Sequence, residues 1–197
     1  VAVASFDKYN AKKLGVKNYI SQYMFNNPNG LSFSMDLAKM LAMRDMVESL
    51  ADDGFKVYRE TRAGLPLFNA DPDIAKGQLA ASTFMQMCLN PHIIHVVGYC
   101  EADHAAGPEE VIESCKIVRG VIRHTLGESF CIDRAPEVEM RRQELVTEAR
   151  YLLDFITNAY SCVSDDPLAD SFVLADMIKQ GYIDAVHIVK NDKFRGT

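Results

Sequence analysis

The feature that most constrains this chain is a repeating order of elements. Segments that read as strands begin near Lys17, Phe55 and Ile93 at almost constant spacing, and each is followed by a loop and a helix-forming stretch. The spacing is a little longer than the ~30 residues of a typical βα unit, and strand–helix alternation of this kind builds a parallel sheet. The third segment, Ile93 to Tyr99, is apolar almost without interruption, as a strand covered on both faces requires. It runs into a polar cluster, Glu101, Asp103 and His104, ahead of a helix starting near Pro108. Parallel α/β sheets place their chemistry at the carboxyl ends of strands, so this loop is where a site is expected. The expected fold is α/β: about three parallel βα units over residues 1–134, a partial (β/α)8 (TIM) barrel or a small doubly wound sheet, then a C-terminal helical extension over 135–197 packed on it. Parallel strands with open edges need covering or pairing, so the isolated chain is expected to associate into an oligomer.

Local signals place the elements. Val3, Phe6, Asn10 and Leu14 form one stripe of a first helix, and Gly15 stands where a helix C-terminal glycine belongs. The segment from Lys17 to Phe25 alternates, with Ile20 and Met24 expected toward an outer helix layer and Tyr19, Ser21 and Tyr23 away from it. Ser32 or Ser34 caps a second helix whose buried stripe is Leu37, Met40, Leu41 and Val47; its other methionines read as core packing. Asp71 followed by Pro72 is an N-cap with proline at the first helical position, and Ile74, Leu79, Phe84 and Met87 are apolar positions of the helix that follows. Val111, Ile112, Cys115, Val118 and Ile122 mark the helix after Pro108. Val138, Leu145, Ala149, Leu152 and Ile156 mark a longer one after Ala135. Asp166 is expected to cap a last short helix that Gly181 stops, and the apolar YIDAVHI beyond it to tuck back on the body.

Composition narrows the function. A net charge of −6 and a pI near 5.4 offer no basic field for a nucleic acid backbone. No apolar run approaches the ~20 residues that span a bilayer, so no membrane partner is expected. Five widely spaced cysteines without a C-x-x-C pair argue against a disulfide framework or a structural zinc site, and point to a reduced, cytoplasmic setting. The first residues already read as mid-helix, so the chain is expected to belong to a longer polypeptide.

Few residues carry chemistry on pattern alone. Glu101 and His104, three apart at a strand end, can bind a sugar hydroxyl and move a proton, or can simply cap the next helix. Arg59, Glu60 and Arg62 can bind a carboxylate or phosphate, or form a structural ion-pair cluster. His92 and His95 should face opposite sides of their strand, which argues against a shared metal, and no metal site is expected. There is no Gly-rich phosphate loop, no H-E-x-x-H and no G-x-S-x-G.

Several strings resemble a known family. VAVASFDKYNAKKLGVKN, SFSMDLAKM, RAGLPLF, IAKGQLAAS and above all HIIHVVGYCEADHAA are similar to the C-terminal half of the barrel subunit in adenosylcobalamin-dependent amino acid mutases. The likeness is to the lysine 5,6-aminomutase and ornithine 4,5-aminomutase large subunits and, more distantly, to glutamate mutase. RRQELVTEARYLL and IKQGYIDAV are similar to that family's closing helix and tail. The resemblance implies an isomerase in which hydrogen abstraction by an adenosyl radical drives a 1,2-migration inside a sealed barrel. It implies cofactor contacts from Glu101, which matches the position on the adenosyl ribose, and from neighbouring Tyr99. It further implies a catalytic part for His104 and substrate contacts from Tyr23, Arg59 and Arg62. The implied partners are the remaining half of the barrel, in cis or trans, a cobalamin-binding domain or subunit, and a small amino acid; pyridoxal phosphate, if used, would be held mostly by the other half. Two departures stand out: a lysine of glutamate mutase is Val97 here, and the D-x-H-x-x-G string that ligates cobalt is absent. Two other readings therefore stay open, a non-catalytic barrel fragment or assembly subunit, and a cobalamin-dependent methyltransferase barrel.

Overall fold

A computed structural model describes residues 1–28, 30–128 and 131–183. Its elements are α1 (Ala2–Lys13), β1 (Asn18–Phe25), α2 (Phe33–Glu48), β2 (Lys56–Ala63), α3 (Pro72–Met87), β3 (Ile93–Ile94), α4 (Pro108–Thr125), α5 (Pro136–Ala159) and α6 (Ser171–Lys179). Short 3-10 turns lie at Leu65–Leu67 and Cys131–Arg134. The strands form one parallel sheet in the order β1-β2-β3, so the α/β class and the βα units are as expected.

The helix starts follow from capping chemistry. Ser32 accepts from the Met35 N–H, and Asp71 accepts from the N–H groups of Asp73 and Ile74, satisfying donors that the first turn of a helix leaves unpaired. Gly15 and Gly181 both take positive φ past the ends of α1 and α6. The expected cap at Asp166 is displaced: Asp170 accepts from Phe172 and Val173 and starts α6. Asp166 instead ties the chain together across a long sequence distance, accepting from the Tyr9 hydroxyl and pairing with Lys13 at 2.8 Å. The YIDAVHI segment lies outside the described residues beyond Ile183.

Two apolar clusters flank the sheet on one side. Tyr23, Phe25, Leu37, Leu41, Val47, Leu89 and Val138 pack β1 against α2 and the start of α5. Ala63, Leu79, Val97, Tyr99 and Val118 pack the end of β2 against α3 and α4. A third cluster, Phe6, Ile156, Val173 and Met177, joins α1, α5 and α6. The facing expected for β1 is reversed: Tyr23 and Phe25 are wholly buried against the helices, while Ile20 is 53% exposed. The strand alternates as expected, but both of its faces carry apolar side chains, and the contact with α2 decides between them. Similarly Val3 of α1, Leu14 just past its end and Ile74 of α3 are exposed; α1 buries Phe6, as expected, together with Ser5 and Lys8, which no apolar stripe marks.

The third strand is much shorter than expected. It pairs with β2 through Ile93 and Ile94, with one further ladder bond from His95 N–H to the Thr61 carbonyl, and then leaves the sheet. Its far edge has no neighbouring strand among the described residues, so the run Val96–Tyr99 gains more by turning its apolar side chains into the cluster under α4. Among the described residues no helix is long and apolar enough to cross a membrane.

Candidate functional site

The carboxyl ends of the strands share one rim. The Gly64 N–H donates to the Phe25 carbonyl at 2.7 Å, drawing the exits of β1 and β2 together. A Cβ on Gly64 would stand 3.1 Å from the carbonyl oxygens of Phe25 and Asn26, tighter than ordinary contact, so a larger residue would press the two exits apart. Asn26, at φ 60°, donates its backbone N–H to Asp36 of α2 and accepts from the Ser82 hydroxyl of α3. Both helices thereby hold the loop that follows β1.

The loop after β3 folds on itself. The Glu101 carboxylate accepts from the Gly98 N–H at 2.5 Å, and the backbone closes the same turn through Glu101 N–H to the Gly98 carbonyl. A Cβ on Gly98 would meet Glu101 Oε1 and Ala106 Cβ at 2.9 Å, so glycine is what lets the carboxylate reach back. Glu110, not Glu101, caps α4 by accepting from the Gly107 N–H. His104 is held from both sides, Nδ1 3.0 Å from Asp103 Oδ2 and Nε2 3.3 Å from Glu110 Oε1. Asp103, then Glu110, raises the affinity of its ring for a proton. The Gly107 N–H, then His104, holds the Glu110 carboxyl below the usual range. Tyr99 is buried, its N–H bonded to the Ser114 hydroxyl and its own hydroxyl to Glu113, and Lys76 joins Glu113 at 2.8 Å.

A second polar group crosses the sheet itself. Parallel register sets Gln22 beside Glu60, and Glu60 beside Ile93. Gln22 Nε2 donates to Glu60 Oε1 at 2.7 Å, and His95 Nδ1 lies 3.6 Å from the same oxygen. Gln22 of β1, Glu60 of β2 and His95, just past the end of β3, therefore form a belt on the face of the sheet away from the helices. Arg62 stands on that face too, two residues nearer the rim. Ile20 and Ile93, at 53% and 41% exposed, flank the belt on the same bare face.

The expected site residues are thus divided by the sheet. Tyr23 is in the helix-side core, where burial pushes its hydroxyl up to about 12. Arg59 also faces the helices, paired with Glu48 of α2 at 3.1 Å, so Arg59 and Arg62 do not converge on one ligand. His92 is on Arg59's side, its Nδ1 accepting from the Arg59 N–H, and His95 is on the other, as alternation required. Glu101, His104 and Tyr99 come from one loop, with Tyr99 turned toward Lys76 and Glu113 behind it. No local pattern marks Gln22, Glu60 and His95 as a unit, because they meet only through the register of the strands. No family model matches the chain, and no curated protein matches it.

Proposed function

We propose that this chain is an arc of a (β/α)8 barrel in an adenosylcobalamin-dependent amino acid mutase, an isomerase, with the other strands and the cobalamin-binding module supplied by another segment or subunit. The face of the parallel sheet left bare among the described residues is the observation that supports the barrel arc; the mutase class rests on the resemblance of the strings above. Purely parallel sheets are normally covered on both faces, whereas an arc of a barrel meets its cover only when the opposite strands close the ring. The belt of Gln22, Glu60 and His95 would then line the lumen, and Arg62 would stand near its mouth with a guanidinium suited to a substrate carboxylate.

The cofactor, when bound, supplies the radical that abstracts hydrogen from the substrate; the chain's own residues bind, orient and exclude water. Glu101 fits the ribose contact: one oxygen is engaged by the Gly98 N–H, and the exposed carboxylate retains lone pairs for a hydroxyl donor. Tyr99 and His104 brace this loop from behind, through Glu113 and through Asp103 and Glu110. Tyr23 and Arg59, on the covered face, have no place in the lumen and serve the core.

The test is isothermal titration of adenosylcobalamin into the complex isolated from its native source with whatever co-purifies. The expected result is saturable binding that weakens about tenfold or more in Glu101→Ala, the loss of one charge-assisted hydrogen bond. Absence of binding with every partner present would overturn the mutase reading and leave an assembly role for the bare face.

A further inference from the structure

Behind Glu101, one short loop and the first turn of α4 bring together three side chains of three ligand types. We propose that Cys100, His104 and Glu110 form a binding site for a divalent transition-metal ion of the zinc class. The Cys100 sulfur, a His104 ring nitrogen and a Glu110 carboxylate oxygen all lie within 4.8 Å of one another. The Nε2–Oε1 separation of His104 and Glu110 is 3.3 Å. Zinc bonds of about 2.0–2.1 Å to nitrogen and oxygen, set at the tetrahedral angle, place two such ligand atoms about 3.3 Å apart. That pair already spans one edge of the tetrahedron, and the sulfur closes the remaining distance on binding.

The groups behind these ligands point the same way. Asp103 holds Nδ1 of His104 at 3.0 Å, the carboxylate–imidazole arrangement that fixes a ligating histidine and leaves Nε2 for the ion. Glu110 is anchored through its other oxygen to the Gly107 N–H, which leaves Oε1 for the ion without loss of the helix cap. Helix capping explains Glu110 beside Gly107, but it does not call for the buried residue Cys100 to bring its thiol beside an imidazole. The three groups border a cleft of about 260 Å³ walled by Asn69, Pro72 and Tyr99, which gives an ion an entry path and a fourth position for water. A thiolate with an imidazole favours zinc or cobalt(II) over magnesium or calcium. Binding forms a metal–sulfur bond and releases the thiol proton to solvent. The ion would clamp residues 100–110 into one unit and so fix the turn that carries Glu101; the site needs no cobalamin and stands apart from the mutase reading.

Cobalt(II) alone, titrated into the reduced, metal-stripped chain, tests this. The expected result is one equivalent bound with an intense near-ultraviolet thiolate-to-cobalt band and the visible bands of a tetrahedral ion, all displaced by zinc. Cys100→Ser should remove the thiolate band, Asp103→Asn should weaken binding about 10–100-fold while keeping it, and Cys115→Ala and Cys162→Ala should change nothing. Alkylation of the unmutated chain, with sites read by peptide mass, should show zinc protecting Cys100; this arm needs no variant to fold. A thiolate band that survives Cys100→Ser, the absence of any such band, or equal alkylation of Cys100 with and without zinc would overturn the site.

Discussion

Single residues show how sharply local geometry limits substitution. Gly98 has no room for a Cβ, with Ala106 Cβ and Glu101 Oε1 both 2.9 Å from where it would lie. Gly98→Ala should therefore lower stability by about 1–3 kcal/mol and displace the Glu101 carboxylate. Gly77, exposed within α3 with nothing within 4 Å, is the contrast: Gly77→Ala should stabilise by about 0.5–1 kcal/mol. Urea midpoints of the two variants check both signs. Lys8 is wholly buried with no hydrogen bond to Nζ, which lies 5.5 Å from the Tyr19 ring centroid. Burial lowers its pKa from 10.5 to about 7, against the raising pull of Glu48 on α2. Between those values the unfolded chain binds more protons than the folded one, so stability rises with pH, by at most about 1.4 kcal/mol per unit from this group. Lys8→Met should abolish that rise and be the more stable protein at pH 6, where the wild type buries a charge; urea midpoints at pH 6 to 9 measure it. Nothing in the stripe Val3, Phe6, Asn10, Leu14 announces a buried Lys8, because apolar periodicity weights a lysine toward solvent whatever packs over it.

At the scale of elements, the sequence was most legible where one or two residues act on their immediate neighbours. The Asp71–Pro72 start of α3 and the glycines after α1 and α6 are of this kind. Asp71→Ala should cost about 1 kcal/mol through two unpaired N–H groups, detectable as a lower urea midpoint with an unchanged slope. Local pattern is ambiguous where two neighbours compete. Asp166 and Asp170 both stand ahead of the apolar run; α6 starts at Ser171, which puts Asp170 at the N-cap, while Asp166 engages Tyr9 and Lys13 of α1. The strand from Ile93 was expected to run to Tyr99, since an apolar run carries no mark of where pairing stops. Its length depends on a neighbouring strand on the far edge, and the described residues provide none.

For the whole molecule the decisive feature is the uncovered sheet face. If it is an interior waiting for opposite strands, Ile20→Lys should leave the stability of the chain within about 0.5 kcal/mol, because the side chain is half exposed as it stands. The same substitution should abolish assembly with the remaining barrel, since a lysine there would be buried without a partner. Sedimentation and co-purification from the native source check the second half of this prediction, and a complex that tolerates Ile20→Lys would remove the bare face as an interface. Among the described residues helices cover one side of the parallel sheet, and a stable, well-dispersed monomer would be at odds with a parallel arc of this kind.

By itself the sequence determined the number and type of the βα units, the parallel sense of the sheet and most helix starts, because these depend on periodicity and on contacts within a few residues. Tertiary structure alone decided which face of β1 is buried, where β3 ends, that Arg59 and Arg62 part company, and that Gln22, Glu60 and His95 meet across the sheet. It also brought the Cys100 sulfur and His104 to Glu110. Each of these follows from strand register or from a fold of the loop onto a helix, and such long-range pairings are selected by the burial of surfaces that no local pattern contains.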